Sequence, residues 1–541
     1  MTALPASADT MPPDPTTPVT VSSDGLPTVQ IDGVAWQQVV VGNTVYVAGS
    51  FSTARPAGAA PGVNTVPRLN LLAYDIRTGD LITSWAPSLN AQALAITASP
   101  DGSRIYVGGD FTSVNGATVW RIAALDAKTG ALIPSFTPKP DAKVRAIVAT
   151  ATTVYFGGLF SSIGSTPRTR LAEVSASDGS LMSWAPSAAG ASGVNAMVMS
   201  PDGSEIVVGG SFTTLNGSSS PGYGLGAVDA TTGALLPFAV NSLVRDGGSE
   251  AAITSLSGDS DSVYGTGYVF GTGGNLEGTF RADWNGGTLV WVEDCHGDTY
   301  SSFPMGGAVY QASHKHFCGD IGGFPQTDPW TMHHATAMSK AATGTVTTNP
   351  YGGYYNFAGN PSPTLLDWFP GLDTGTYTGQ GQGPWTVTGT SQYVVMGGEF
   401  IHANDDYSVT QQGLVRYAVP SIAPNKQGPV LTGSKIDLSA TSLQAGTARV
   451  GWTANWDRDN TSLTYTLVRN SNTASPVYTT TLDSTFWQRP GMGFIDTGLT
   501  PGVQYRYRLS VSDPWGNVVK SDTTYVTISS AAPSSYANTV I

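Results

Sequence analysis

Two histidines, His314 and His316, stand one residue apart in VYQASHKHFCGD (309–320), and a third, His296, lies in EDCHGD (293–298). Alternate side chains of a β-strand share one face about 6.6 Å apart, so these two imidazoles can converge on one atom while Lys315 points away. Five of the six histidines fall between His296 and His334, interleaved with Asp294, Asp298 and Asp320. Three uses of such a cluster are open. Neutral imidazoles with a carboxylate suit a divalent metal, so His296, His314, His316 and Asp320 form one candidate ligand set for Zn, Mn or Ca. An imidazole acting as general base or acid is a second use, and histidines that merely fix a loop by hydrogen bonding are the third. The spacing matches no fixed zinc signature. The chain's two cysteines, Cys295 and Cys318, flank the cluster, and an even count predicts one disulfide and an oxidising compartment, against the alternative of two buried thiols.

Other residues point to sugar chemistry. The stretch between Phe317 and Phe400 is rich in aromatics among glycines, including Tyr354, Tyr355 and Trp368. Flat rings beside carboxylates grip sugar faces by stacking and hydrogen bonding, so Tyr354, Tyr355, Trp368, Asp298 and His402 are expected to bind substrate. The plainer alternative is an insertion that folds its aromatics onto its own sheet. Asp110 and Glu399 occur at matching places in a repeat and form a candidate carboxylate pair for glycoside hydrolysis, joining His296, His314 and His316 as the catalytic set. Asp457 and Asp459 in WDRDN suit a capped turn, with calcium as the alternative. No GxSxG elbow, phosphate-cradling GxxxxGK[ST] or HExxH occurs.

These residues are carried by a repeat. Near-copies of one strand phrase close on Phe51, Phe111, Phe160, Phe212, Phe270, Phe317 and Phe400, at intervals of 47 to 83 residues, the length of a four-stranded propeller blade with variable loops. Turn phrases recur between the strands, SPDG at Ser99 and Ser200, and DxxTG at Asp75, Asp126 and Asp229. Trp85, Phe136, Trp184 and Phe238 recur on outer strands and are assigned to packing between blades. The seventh copy meets Pro420, Pro424 and Pro429 before a fourth strand, so the β-prone segment 19–31 is expected to complete it and close the ring. The fold expected is all-β, a seven-bladed β-propeller over 19–421 after a disordered stretch 1–18. With 65 Gly, 35 Pro and only 12% charged residues, long helices are not expected. The net charge of −13 argues against nucleic acid, and no apolar run reaches the roughly 18 residues of a membrane span.

The phrase GGDFTSVNG (108–116), followed by IAALD (122–126) and Ser135-Phe136, resembles the delta-sixty repeat family, strongly in copies one to four and more weakly in five to seven. That resemblance implies a β-propeller in a secreted or surface protein and implies no reaction. After a linker (422–431), the segments ARVGW (448–452), LTYTLVR (463–469) and LTPGVQY (499–505) resemble a fibronectin type III domain over 432–530, a module that implies a spacer or docking part. The tail, 531–541, resembles the opening of a laminin-G-like module of actinobacterial surface proteins. The His-x-His pair is similar to the metal site of seven-bladed polysaccharide lyases, by analogy only. The function expected is therefore an extracellular, monomeric, carbohydrate-directed protein acting on a polysaccharide or cell-surface glycan, with lyase or hydrolase chemistry at the propeller mouth near blade six. The alternative is a non-catalytic adhesin or scaffold in which the His/Cys cluster is structural.

Overall fold

The computed structural model describes residues 17–190 and 192–532. The expectations for the extreme N-terminus and for the laminin-G-like opening fall outside or at the edge of these residues. The described residues divide into two compact units, one of 18–366 with 370–423, the other of 424–532 with 17 and 367–369. Both are built of antiparallel strands, and the only helical pieces among the described residues are short 3-10 turns.

The first unit holds one antiparallel sheet per repeat copy. Each starts with a hairpin: Val34–Val41 with Thr44–Ser50, then Ala93–Ala98 with Arg104–Gly109, and Val144–Ala149 with Thr153–Gly158. The fourth and fifth copies pair Val194–Met199 with Glu205–Gly210 and Ala251–Gly258 with Ser262–Val269. In the sixth and seventh, Thr299–Met305 pairs with Ala308–Lys315, and Pro384–Gly389 with Tyr393–Gly398. The first strands adjoin one another in chain order, and that of the seventh sheet adjoins that of the first, so the sheets form a closed ring around a channel. Closure leaves no inner edge to pair with another chain.

The apolar stripes of neighbouring sheets pack face to face, with a cluster spanning the first and second sheets around Tyr46, Trp85 and Phe111 and similar ones between later pairs. Trp85, Phe136, Trp184 and Phe238 are all buried there, and the Trp85 and Trp184 indoles donate to the carbonyls of Asp126 and Asp229 in the following sheets. The seventh sheet is extended by the N-terminal segment. Ser22 N–H donates to Ala418 O at 2.9 Å, and Leu26 N–H to Arg416 O at 2.7 Å. The buried Arg416 guanidinium ties this junction together, donating to Ile76 O and Pro27 O at 2.6 Å each and to Thr28 Oγ1 at 3.3 Å.

In the second unit, two antiparallel sheets lie over a common core. One contains Ser439–Thr441, Thr447–Thr453 and Gly491–Thr497; the other contains Tyr478–Asp483, Ser462–Arg469, Gln504–Ser512, Val518–Lys520 and Thr524–Thr527. Trp452, Tyr465, Leu467 and Leu509 fill the space between them. The Tyr505 hydroxyl accepts Thr500 N–H at 3.1 Å, pinning the turn ahead of its own strand.

Candidate functional site

Each of the seven opening hairpins carries a β-bulge at the same place. The register shifts between Ala35 and Gln37, Ala93 and Ala95, Val144 and Ala146, Val194 and Ala196, Ile253 and Ser255, Thr299 and Ser301, and Pro384 and Thr386. A bulge leaves one residue unpaired and re-aims its side chain. The seven skipped residues are Trp36, Leu94, Arg145, Asn195, Thr254, Tyr300 and Trp385, and all of them line one cavity of about 1320 Å³ at the ring's centre. The bulge also explains the paired glycines of the repeat. A Cβ on Gly109 would stand 2.3 Å from Gln92 O, and one on Gly158 2.2 Å from Lys143 O.

The cavity wall has two characters. The sixth, seventh and first sheets give an aromatic arc, with Tyr300 and Trp385 ring centres 4.2 Å apart and Trp385 and Trp36 5.2 Å apart. The Trp36 indole donates to Gln92 Oε1 at 3.0 Å, and Trp330, Tyr354 and the 89% exposed Phe270 extend the rim. The third to fifth sheets give a polar arc of Lys143, Arg145, Asn195 and Thr254. Three carboxyls, Glu250, Glu277 and Asp298, also line the cavity. Burial pushes the Glu277 carboxyl up to about 7, and burial raises Asp298 as well.

Bulge register corrects the alignment of the sixth copy. Thr299 and Ser301 pair with Ser313 and Ala312, as Ala93 and Ala95 pair with Gly109 and Gly108. His314, not His316, therefore takes the place held by Asp110 and Glu399, because the sixth second strand runs two residues further before its Phe.

His314 is held from every side. Its Nε2 accepts Asp298 N–H at 3.1 Å, so the ring proton is assigned to Nδ1, which lies 2.8 Å from Gln382 Oε1 and 3.1 Å from the Tyr300 hydroxyl. The Tyr300 hydroxyl in turn donates to Asp298 Oδ2 at 3.2 Å. His296 is buried between Phe317, 4.6 Å away by ring centres, and Tyr354, stacked at 3.7 Å. His316 stacks on Trp330 at 4.0 Å. Burial pulls His296 down to about 3 and His316 to about 4, so both rings are uncharged at neutral pH and are weak bases.

Asp320 lies elsewhere. Its carboxyl is pushed up to about 7 by burial and by Glu293, within a buried group in which Lys315 is ion-paired with Glu293. The four residues expected to hold a metal are thus divided between two sides of the strand, and His314 has no free lone pair. Among the described residues, no group of three or more His, Cys, Asp or Glu side chains is placed to hold a metal ion. Cys295 and Cys318 are joined in a disulfide that ties the 293–298 loop to the end of the sixth sheet's second strand.

Of the carboxylate pair, Glu399 is buried and accepts from Thr378 N and Oγ1, Gln382 N and the Trp385 indole, so it organises the 376–385 loop and does not reach the cavity. Asp110 accepts from Gln92 Nε2 at 2.6 Å and lies 3.4 Å from Lys143 Nζ, behind the wall. Of the expected substrate-binding residues, Tyr354 and Asp298 line the cavity. Tyr355 is on the surface against Phe357, Trp368 is buried in the second unit, and His402 is bonded to Asp373 at 2.6 Å away from the cavity. Trp385, one of the aromatics between Phe317 and Phe400, also lines it, and the residues missed are Trp36, Arg145, Tyr300 and Glu277. For Trp36, Arg145 and Tyr300 a signal was present, since this first-strand position varies between Trp, Leu, Arg, Asn, Thr and Tyr across the copies; Glu277 lies outside those strands and carried none.

A family described as a domain of unknown function (DUF5122) beta-propeller matches residues 100–136, and with the sheet architecture this makes the first unit a β-propeller. No curated protein matches the sequence. Solved structures with some likeness include dihydro-heme d1 dehydrogenase NirN in complex with DHE, at 12% identity and a TM-score of 0.31 over 89% of this chain and 76% of that one. The phage phi92 endosialidase is similar at 9% identity and 0.30, over 77% and 73%. A glycoside hydrolase family 43 arabinoxylan arabinofuranohydrolase from Bacillus subtilis in complex with cellotetraose is similar at 11% and 0.23, over 92% and 96%. Likenesses this distant carry no argument about activity.

Proposed function

We propose that this is an extracellular carbohydrate-directed protein, a seven-bladed propeller of the delta-sixty type followed by a fibronectin type III domain, which takes a glycan into the channel mouth. One observation carries the reading: the continuous aromatic arc of Tyr300, Trp385 and Trp36 stands in one cavity with Gln92, Gln382, Asn195 and three carboxyls. Aromatic faces ringed by amides and acids match a sugar, which has apolar C–H faces and hydroxyl edges. The disulfide favours an oxidising compartment. If the bound glycan is cleaved, the group suited to move a proton is Glu277, poised near neutrality, rather than the poorly basic His296 and His316.

The locked histidines favour a second reading, a binding module without catalysis. Both are tested by titrating a panel of oligosaccharides against tryptophan emission and assaying the same mixtures for new reducing ends. Trp385→Ala is expected to weaken binding about tenfold, the loss of one stacked ring. No binding by any glycan, or unchanged binding by Trp385→Ala, overturns the glycan reading. New reducing ends that vanish in Glu277→Gln decide for catalysis; none from any bound glycan decides for the binding module.

A further inference from the structure

Arg145 is the skipped residue of the third sheet's bulge, so its guanidinium is delivered to the cavity by the same device that delivers Trp36 and Trp385. Its hydrogen bond goes to the neutral Asn195 Oδ1, at 2.9 Å, from Nη1. Among the described residues no carboxylate lies within ion-pair distance of it. The acid that acts on it, Asp110, is bonded to Gln92 and beside Lys143. A half-buried arginine is ordinarily matched by a carboxylate, because its planar fork loses water that only a bidentate acceptor replaces well. Here the fork is desolvated without that acceptor, and burial draws its pKa down.

We infer that the glycan is acidic, and that the carboxylate of a uronic-acid residue is the missing partner of Arg145, its ring lying toward the Trp36 and Trp385 faces across the channel. Lys143 adds a second cation on the same arc, and Asn195 holds the fork through Oδ1 while its Nδ2 is anchored on Ile253 O at 3.2 Å. The acids of the cavity wall do not forbid this: Glu250 is held by Thr272, whose N–H and Oγ1 donate to its Oε2 at 2.8 and 3.0 Å. Burial raises both Glu277 and Asp298, which softens their repulsion of an incoming anion and leaves Glu277 partly protonated at neutral pH, able to donate. One free fork beside one partnered lysine suits a single planar carboxylate better than a densely sulfated chain.

This inference rests on the glycan reading and is separable from it. The probes are oligomers of galacturonate, glucuronate and mannuronate, each paired with a twin whose carboxyls have been reduced to primary alcohols, titrated by calorimetry against the full chain. At least one acid form is expected to bind tenfold or more tightly than its neutral twin. Arg145→Gln, which can keep the Asn195 bond, is expected to bring that ratio to about one, and Arg145→Lys to an intermediate value, since it keeps charge and loses the fork. Should Arg145→Gln not fold, Arg145→Lys and the twin comparison on the native protein carry the test. Acid and neutral twins binding equally, or a ratio that survives Arg145→Gln, overturns the inference and leaves the glycan reading standing. If no member of any pair binds while neutral glycans of the wider panel do, the inference alone falls; if nothing binds, both fall.

Discussion

Lys315 shows what alternation along a strand does to a pair of histidines. It points away from His314 and His316 into a fully buried site, where its ammonium is paired with Glu293 and feels Asp294 and Asp320. Glu293 also accepts from Gln311 Nε2 at 3.0 Å and from Cys295 N–H at 3.2 Å, so this pair braces the loop that the disulfide ties down. Removing one member of a buried pair strands the other's charge. Lys315→Met is therefore expected to lower unfolding free energy by about 3 to 5 kcal/mol in urea titrations, whereas Lys128→Met, on an exposed turn, should change it by less than about 0.5 kcal/mol. The histidine cluster was visible as an anomaly of composition, and its neighbourhood with the channel followed from strand geometry. Its chemistry did not follow, because whether an imidazole has a free lone pair depends on backbone donors such as Asp298 N–H and on stacked rings such as Tyr354 and Trp330, neither of which spacing reveals.

At the level of the strand, the bulge is what turns a monotonous repeat into a site. It gives each sheet one side chain free of the pleat, so the cavity can be rewritten seven times without disturbing the interlocked faces between sheets. Its cost falls on the partner strand, where six of the seven sheets keep a glycine and only the sixth carries a side chain, that of Ser313. Gly109→Ala would place a Cβ 2.3 Å from the Gln92 carbonyl and is expected to destabilise by about 2 to 3 kcal/mol through overpacking. Gly116→Ala, whose Cβ meets nothing within 4 Å, should cost about 1 kcal/mol, from its left-handed backbone alone. Thermal or chemical unfolding of the two variants checks the order. Strands, turns and the second-strand glycines were legible from the repeat, since periodicity and turn chemistry are local. The bulges were not, because a one-residue slip in pairing is a property of two strands together. Aligning on the closing Phe instead of on the bulge is what set His316 in place of His314 and drew attention to Asp110 and Glu399 over Trp36, Arg145 and Tyr300.

For the molecule as a whole, buried acids and buried imidazoles pull stability in opposite directions with pH. Glu277 and Asp320 are pushed up to about 7, and Asp246 to about 8, each chiefly by burial, so the fold keeps protons that the unfolded chain gives up. Their contribution is full below about pH 4 and is lost as pH rises through 7 and 8. His296, His316 and His334 are drawn down to about 3, 4 and 4 by burial, so their contribution is full above about pH 6.5 and is lost as pH falls through 4 and 3. The melting temperature is expected to fall as pH rises from about 6.5 to 8 through the acids and as pH drops below about 4 through the imidazoles, the two slopes opposing each other in between; calorimetric scans across that range check it.

The partnership of Arg416 with Thr28 joins groups 388 positions apart. A chain emerging from the ribosome therefore makes its opening segment first and must hold it unpaired until nearly the whole propeller has been made. The early sheets stack on one another as local hairpins, but the final seam has to await the last repeat, which makes ring closure a late step with a high loop-closure cost. Until then the first and last sheets each present an open flank, and partly made rings are the form in which this protein is most exposed to sticking to its own copies.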